Sequence, residues 1–196
     1  FDSDVMTHIV DQTNLYALGL RCKPRPARLH ERYAWPPKWV QNWEAMTEER
    51  LWTFLGLLVY MSQHKTGSEV ELWASHWFHH RPGIHRIMKL KEFQTIKAAL
   101  HFQSDNEQLD RGQGEKPYLR KIGILMELLT DNFMNNYNPG RDLAFNEITI
   151  LMTGATSLKR ITKHKPVHES IQFWGLGESN EGNQYLWGCD LDRNDG

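Results

Sequence analysis

The residues best suited by type and spacing to do chemistry are four histidines, His76, His79, His80 and His85. On a helix, His76 and His80 would share one face at the spacing that ligates zinc. A closed zinc site needs four ligands, and no nearby Cys or Asp completes the set. The histidines are therefore expected to be surface or half-buried groups beside Trp73 and Trp77, and no metal ligands are assigned. The two cysteines, Cys22 and Cys189, lie far apart and neither belongs to a CxxC pair. A disulfide framework or a cysteine zinc site is not expected, and a reducing compartment fits better. The chain has no Walker loop, no GxGxxG and no GxSxG. Gly175-Leu176-Gly177 lacks the rest of a dinucleotide fingerprint.

Two further features bear on phosphate chemistry. Asn146-Glu147 falls inside a stretch rich in strand formers. Metal-dependent phosphodiester chemistry places a carboxylate on such a strand, because Mg²⁺ prefers charged oxygen ligands. The position alternating with Phe145 and Ile148 is instead Asn146, an amide with one neutral carbonyl oxygen and no negative charge. By spacing alone the pair reads as an ordinary strand. The second feature is the basic run Lys159, Arg160, Lys163, His164, Lys165-Pro166. On a strand and its turn it would form either a positive ridge for phosphates or a solvated hairpin, and the residues leave both open.

The elements that must position these groups begin with enough apolar material for a core: 40% of the 196 residues are hydrophobic, so the chain is not read as disordered. Eight Trp and eight Phe point to large aromatic anchors. The formal net charge of −1 excludes a whole-chain basic field, so any nucleic-acid contact must come from local patches. The richest apolar stretch, Leu51 to Met61, is too short to span a membrane. Phe1-Asp2-Ser3-Asp4 has no basic region or apolar core of a signal peptide, and both ends are expected to be cuts in a longer protein.

A first helix is expected from Ser3 as N-cap, with Val5, Ile9, Tyr16 and Leu20 on one face. A basic, proline-containing connection follows, through Lys23-Pro24-Arg25-Pro26 and Trp35-Pro36-Pro37-Lys38-Trp39. It is expected to be extended, and its basic residues Arg21, Lys23, Arg25, Arg28 and Arg32 to be solvated in preference to the alternative, contact with nucleic acid. The second helix is capped by Thr47, with Glu48 and Glu49 in its first turn and a Met46–Leu51 staple. Its inward set is expected to be Leu51, Phe54, Leu55, Leu58, Val59 and Ser62, with a close neighbour at Gly56. Further helices are expected over Trp73–His80, Ile84–Phe102 (Ile87, Met88, Phe93, Ile96 and Leu100 inward) and Tyr118–Asn136, with a loop over Ser104–Glu115. After Asn138-Pro139-Gly140 the pattern turns to strands: Leu143 to Met152, Leu158 to Thr162, Ile171 to Leu176 and Gln184 to Cys189. The chain thus divides near residue 140 into a helical and a strand part.

Read in order, these pieces resemble the piggyBac transposase family and proteins derived from it. Thr13-Asn14-Leu15-Tyr16-Ala17 is similar to the family's Thr-Asn-x-Tyr-Ala stretch, and Thr47 through Met61 to its helix containing F-L-G-L-L. Met88 through Leu100-His101-Phe102, then Leu119-Arg120-Lys121-Ile122 and Tyr137-Asn138-Pro139, follow in the family's order. Leu143-Ala144-Phe145-Asn146-Glu147 resembles its L-x-I-D-E strand, and Gly154, Lys159 and Lys165-Pro166 continue the run.

The resemblance implies an α+β chain, with a helical dimerisation and DNA-binding domain over 1–140. The first strands of a truncated RNase H-like α/β core would occupy 141–196. That core uses three aspartates to hold two metal ions for cut-and-paste transfer. The first aspartate's position is Asn146, and the other two would lie beyond Gly196. Asp190, Asp192 and Asp195 come too early for those roles. Gly154-Ala155 replaces a frequent Gly-Arg, and Ser170-Ile171-Gln172 a frequent Gly-Ile-Lys, which thins the basic groups near the site. The implied protein is a nuclear, transposable element-derived protein, domesticated or a decayed element copy, that associates with DNA and is not catalytic. Lys159, Arg160, Lys163 and Lys165 are the candidate DNA contacts, with a homodimer and no membrane association. No cofactor is assigned to this chain; Mg²⁺ enters if the full-length protein is active. The rivals are an active transposase that tolerates Asn146, and a helical interaction module without a DNA role.

Overall fold

The computed structural model describes residues 2–27, 29–30, 32–64, 68–74, 83–103, 121–154, 159–161, 168–178 and 186–191. The chain forms two compact units, Met6–Asn106 and Glu107–Gly196 together with Phe1–Val5. Helices α1 (Ser3–Cys22), α2 (Lys38–Gln41), α3 (Glu48–Gln63), α4 (Glu69–Leu72), α5 (Ile84–Ile87), α6 (Leu90–Ala99) and α7 (Gly123–Asn136) precede strands β1 (Leu143–Leu151), β2 (Arg160–Ile161), β3 (Glu169–Glu178) and β4 (Leu186–Leu191). This is an α+β chain in which helix gives way to strand between Asn136 and Leu143. The compact units divide earlier than that change, so α7 belongs with the sheet.

α1 starts one residue earlier than its sequence suggests. Asp2, not Ser3, accepts the Val5 N–H at 3.0 Å and acts as the cap. Met6, Ile9, Thr13, Ala17 and Leu20 of α1 are buried. α3 begins as expected, with the Thr47 hydroxyl accepting the Arg50 N–H and both staple residues, Met46 and Leu51, buried. Its inward line is Leu51, Phe54 and Leu57. Leu58 and Val59 are exposed, which corrects the expected face, and among the described residues nothing beyond the helix's own backbone lies within 4 Å of a Cβ built on Gly56. The Arg50 guanidinium ties α3 to α6 through Glu92, at 3.0 and 3.2 Å.

The helix expected over Ile84–Phe102 is two helices. Met88 is extended (φ −151°, ψ 140°), and its carbonyl accepts the Trp73 indole N–H at 2.8 Å. Tertiary capture of that carbonyl outweighs local helix propensity, and α6 restarts at Leu90. Ile87 is consequently exposed. Phe93 sits at the centre of the core, fully buried, with Phe54 and Trp73 rings each 5.0 Å away. Trp73 itself is the C-cap of α4. Ala74 is not helical, and residues 75–80, with His76, His79 and His80, lie outside the described residues, as do the 104–115 loop and the start of the Tyr118–Asn136 helix.

All four strands expected from the sequence are present. β3 pairs antiparallel with β1 along its whole length, Leu143 opposite Glu178 through Leu151 opposite Ser170. Its other edge takes β2 at Glu169 and Ser170, then β4 from Phe173 to Gly177. β3 is therefore central, and β1 takes one of its two edges.

Candidate functional site

The alternation of β1 sends Ala144, Asn146, Ile148 and Ile150 to one face of the sheet and Phe145, Glu147, Thr149 and Leu151 to the other. Antiparallel register extends each face onto β3, because directly opposed residues point the same way. Asn146 faces with Gly175, Ile148 with Phe173 and Ile150 with Ile171. Glu147 faces with Trp174, Thr149 with Gln172, and Arg160 of β2 with Ser170.

Asn146 is exposed on a face whose β1 neighbours are apolar, opposite a glycine that offers it no side chain. Its Oδ1 accepts the Glu147 backbone N–H at 2.8 Å. The neighbouring carboxylate is not available on this face. Glu147 points to the opposite face and there forms an ion pair with Arg160, Nη1 to Oε1 3.8 Å. On the Asn146 face the donor set of β1 is a single neutral amide, which does not fit a divalent cation such as Mg²⁺. Among the described residues no group of three or more His, Cys, Asp or Glu side chains is gathered for a metal.

The other face carries a polar cluster that the sequence did not foreshadow. Arg160 Nη1 donates to Gln172 Oε1, and Gln172 is buried. On the Asn146 side, where alternation places Glu169 of β3, Lys159 Nζ donates to Glu169 Oε2 at 2.8 Å. Two of the residues assigned as DNA contacts, Lys159 and Arg160, are thus held against carboxylates within the sheet. The other two, Lys163 and Lys165, lie outside the described residues. The Ser170 hydroxyl is fully buried and, among the described residues, has no hydrogen-bond partner. Phe145 stacks on Trp174 with ring centroids 5.0 Å apart and planes within 6°.

The approach to β1 is fixed by Glu178 at the end of β3. One carboxylate oxygen accepts the Tyr137 hydroxyl, the other the Gly140 N–H at 3.1 Å. The Tyr137-Asn138-Pro139 turn thereby sets where β1 starts, and so where Asn146 falls. Nothing in the spacing of Tyr137 and Glu178 announced this bond across 41 positions.

The family motif near the N-terminus is equally structural. Thr13 Oγ1 donates to the His101 carbonyl and accepts its N–H, each at 3.3 Å, and the Tyr16 ring stacks on His101 at 3.6 Å. Asn14 binds both backbone groups of Met46. The stretch Thr13–Ala17 therefore holds the 43–46 and 101 segments against α1.

A family model described as Transposase IS4 matches residues 1–193. Among solved structures, the chain is similar to the piggyBac transposase in a cryo-EM synaptic complex with hairpin DNA. The TM-score is 0.75 at 16% identity, over 100% of this chain and 37% of that one. At that identity the likeness speaks to fold, and the chain spans well under half the length of the protein it matches. The chain belongs to the Transposase IS4 family, and its fold is that of the corresponding part of a piggyBac transposase.

Proposed function

We propose that this chain is the DNA-associated scaffold of a transposase-derived nuclear protein that does not cleave DNA. The observation that carries the loss of cleavage is Asn146: a neutral amide at the position where the resemblance expects the first metal-binding aspartate. The amide oxygen is already engaged by a backbone N–H, and the adjacent Glu147 is turned away and paired with Arg160. Two-metal phosphodiester chemistry depends on anionic ligands that fix the ions, and each 1.36 kcal/mol of lost transition-state stabilisation is about a tenfold loss of rate. Replacement of one carboxylate is therefore expected to lower cleavage by several orders of magnitude.

DNA association is supported by family membership and by the similarity to a transposase held in a complex with hairpin DNA. The division into helical domain 1–140 and incomplete RNase H-like domain 141–196 is part of the proposal. It is supported by the change from helix to strand between Asn136 and Leu143, with α7 grouped on the sheet side of the compact units. A homodimer through the helical domain completes it.

The test is strand nicking at element ends in Mg²⁺ by the full-length protein and its Asn146→Asp variant. Background-level nicking by the natural protein is expected. Robust cleavage that the aspartate does not improve would overturn the proposal.

A further inference from the structure

In a chain of net charge −1, one connection is strongly basic. Between residues 21 and 38 stand Arg21, Lys23, Arg25, Arg28, Arg32 and Lys38, against the single acid Glu31. Lys23, Arg25, Arg32 and Lys38 are exposed. Arg21 Nε donates to the Val40 carbonyl at 3.0 Å, Arg25 Nη2 to the His30 carbonyl at 2.9 Å, and Arg32 Nη2 to the Tyr33 hydroxyl at 2.9 Å. These acceptors are neutral: they orient the guanidiniums without cancelling their charge. Among the described residues no carboxylate pairs with Arg21, Arg25, Arg32 or Lys38. Lys159 and Arg160 differ in this respect, since Glu169 and Glu147 already oppose them.

The connection is also held in shape. The Trp35 indole donates to the Lys23 carbonyl at 2.9 Å, and the Leu29 and Tyr33 N–H groups close turns onto Pro26 and His30. Pro24, Pro26, Pro36 and Pro37 restrict the backbone further. The Arg32 guanidinium lies 4.9 Å from the centre of the exposed Tyr33 ring, which places a cation and an aromatic face side by side at the surface.

We infer that the connection from Arg21 to Lys38 is a DNA-backbone surface, contacting phosphates through Arg25, Arg32 and Lys38, with Tyr33 beside them. The proposal rests on the DNA association proposed above, and relocates its charge contacts from the sheet to the connection between α1 and α3. Preorganised guanidiniums suit phosphate oxygens, and unpaired cations are those whose counterion release drives binding. A membrane surface is disfavoured, because binding there needs a broad apolar face beside the basic groups, and among the described residues of the connection Tyr33 alone is an exposed large hydrophobic.

The experiment is fluorescence anisotropy with a mixed-sequence 20-base-pair duplex, over a series of salt concentrations. It compares the natural chain with Arg25→Ala/Arg32→Ala/Lys38→Ala, the charge-retaining Arg25→Lys/Arg32→Lys, and Lys159→Ala. The triple alanine variant should bind at least tenfold more weakly near 0.1 M salt, with the slope of log K against log salt reduced by about 2 to 3. The lysine variant should keep most of the slope, and Lys159→Ala should leave it within about half a unit. The same proteins are titrated with phosphatidylserine vesicles. Duplex binding whose slope the triple variant does not change overturns this inference and leaves DNA association standing. Absence of duplex binding by the natural chain overturns both, and vesicle binding in its place identifies a lipid surface instead.

Discussion

The side-chain amide of Asn14 and the backbone of Met46 bond in both directions: Asn14 Oδ1 accepts the Met46 N–H at 2.7 Å, and Asn14 Nδ2 donates to the Met46 carbonyl at 3.0 Å. The same Oδ1 accepts the Trp43 indole N–H at 3.2 Å. One α1 side chain therefore satisfies the segment that delivers Met46 and Thr47 to the start of α3. Asn14→Ala leaves three polar groups without this partner and is expected to cost about 2–4 kcal/mol, read as a lower urea midpoint. Asn14→Asp loses the donor and sets a charge against the Met46 carbonyl, so it should be no better. An unchanged midpoint for either variant would show that water satisfies these groups equally well.

Gln172 stands where the resemblance implies a frequent Lys, and its buried carbonyl accepts from Arg160. Restoring the lysine removes that acceptor and places a second cation beside the guanidinium. Gln172→Lys is therefore expected to destabilise by roughly 2 kcal/mol or more. Adding Arg160→Ala to it should recover part of the loss in a double-mutant cycle. Additive effects would mean that the two side chains do not share one site.

Ser170 presents the opposite case, a buried hydroxyl with no partner among the described residues. Removing it sacrifices no bond and relieves a desolvation cost. Ser170→Ala should be neutral or stabilising, by up to about 1 kcal/mol. A clear loss of stability in thermal unfolding would reveal a partner for that oxygen.

Glu69 holds α4 to α6 through Lys97, Oε2 to Nζ 2.5 Å, with Gln94 at 3.2 Å. The Lys97 hydrogen bond outweighs desolvation and lowers the Glu69 carboxyl below its ordinary 4.5. A depressed folded-state value stabilises the fold above the unfolded value and loses that contribution as pH falls through the lower folded one. Glu69→Gln should thus flatten the dependence of stability on pH below about 4.5, by no more than about 1 kcal/mol because Lys97 is largely exposed. Identical acid limbs for the two proteins would remove Glu69 from that titration.

Local signals in the sequence carried the element types well. The Thr47 cap with its acidic first turn, and the β-branched run from Leu143 to Leu151, resolve where composition placed them. Period-two alternation was enough to put Asn146 and Glu147 on opposite faces. Long-range bonds were not legible. Trp73 breaks the expected 84–102 helix by taking the Met88 carbonyl, and Asp2 rather than Ser3 caps α1, an adjacent choice between two good caps. The inward face of α3 was misread because apolar residues surround most of that helix, so periodicity alone could not choose Leu57 over Leu58. The charges of Lys159 and Arg160 were visible, but not the glutamates that oppose them, because one of these partners comes from β1 and the other from β3.

The proposed loss of charge at the first metal-ligand position, Asn146, is measured most directly by divalent-ion binding to the full-length protein. Mn²⁺ titration, followed by electron paramagnetic resonance, compares the natural protein with Asn146→Asp. The aspartate is expected to tighten binding on the order of tenfold or more, since it adds an anionic oxygen where only an amide stood. Equal affinity of the two proteins, with Mn²⁺ broadening signals from the Asn146 strand in the natural one, would contradict the account.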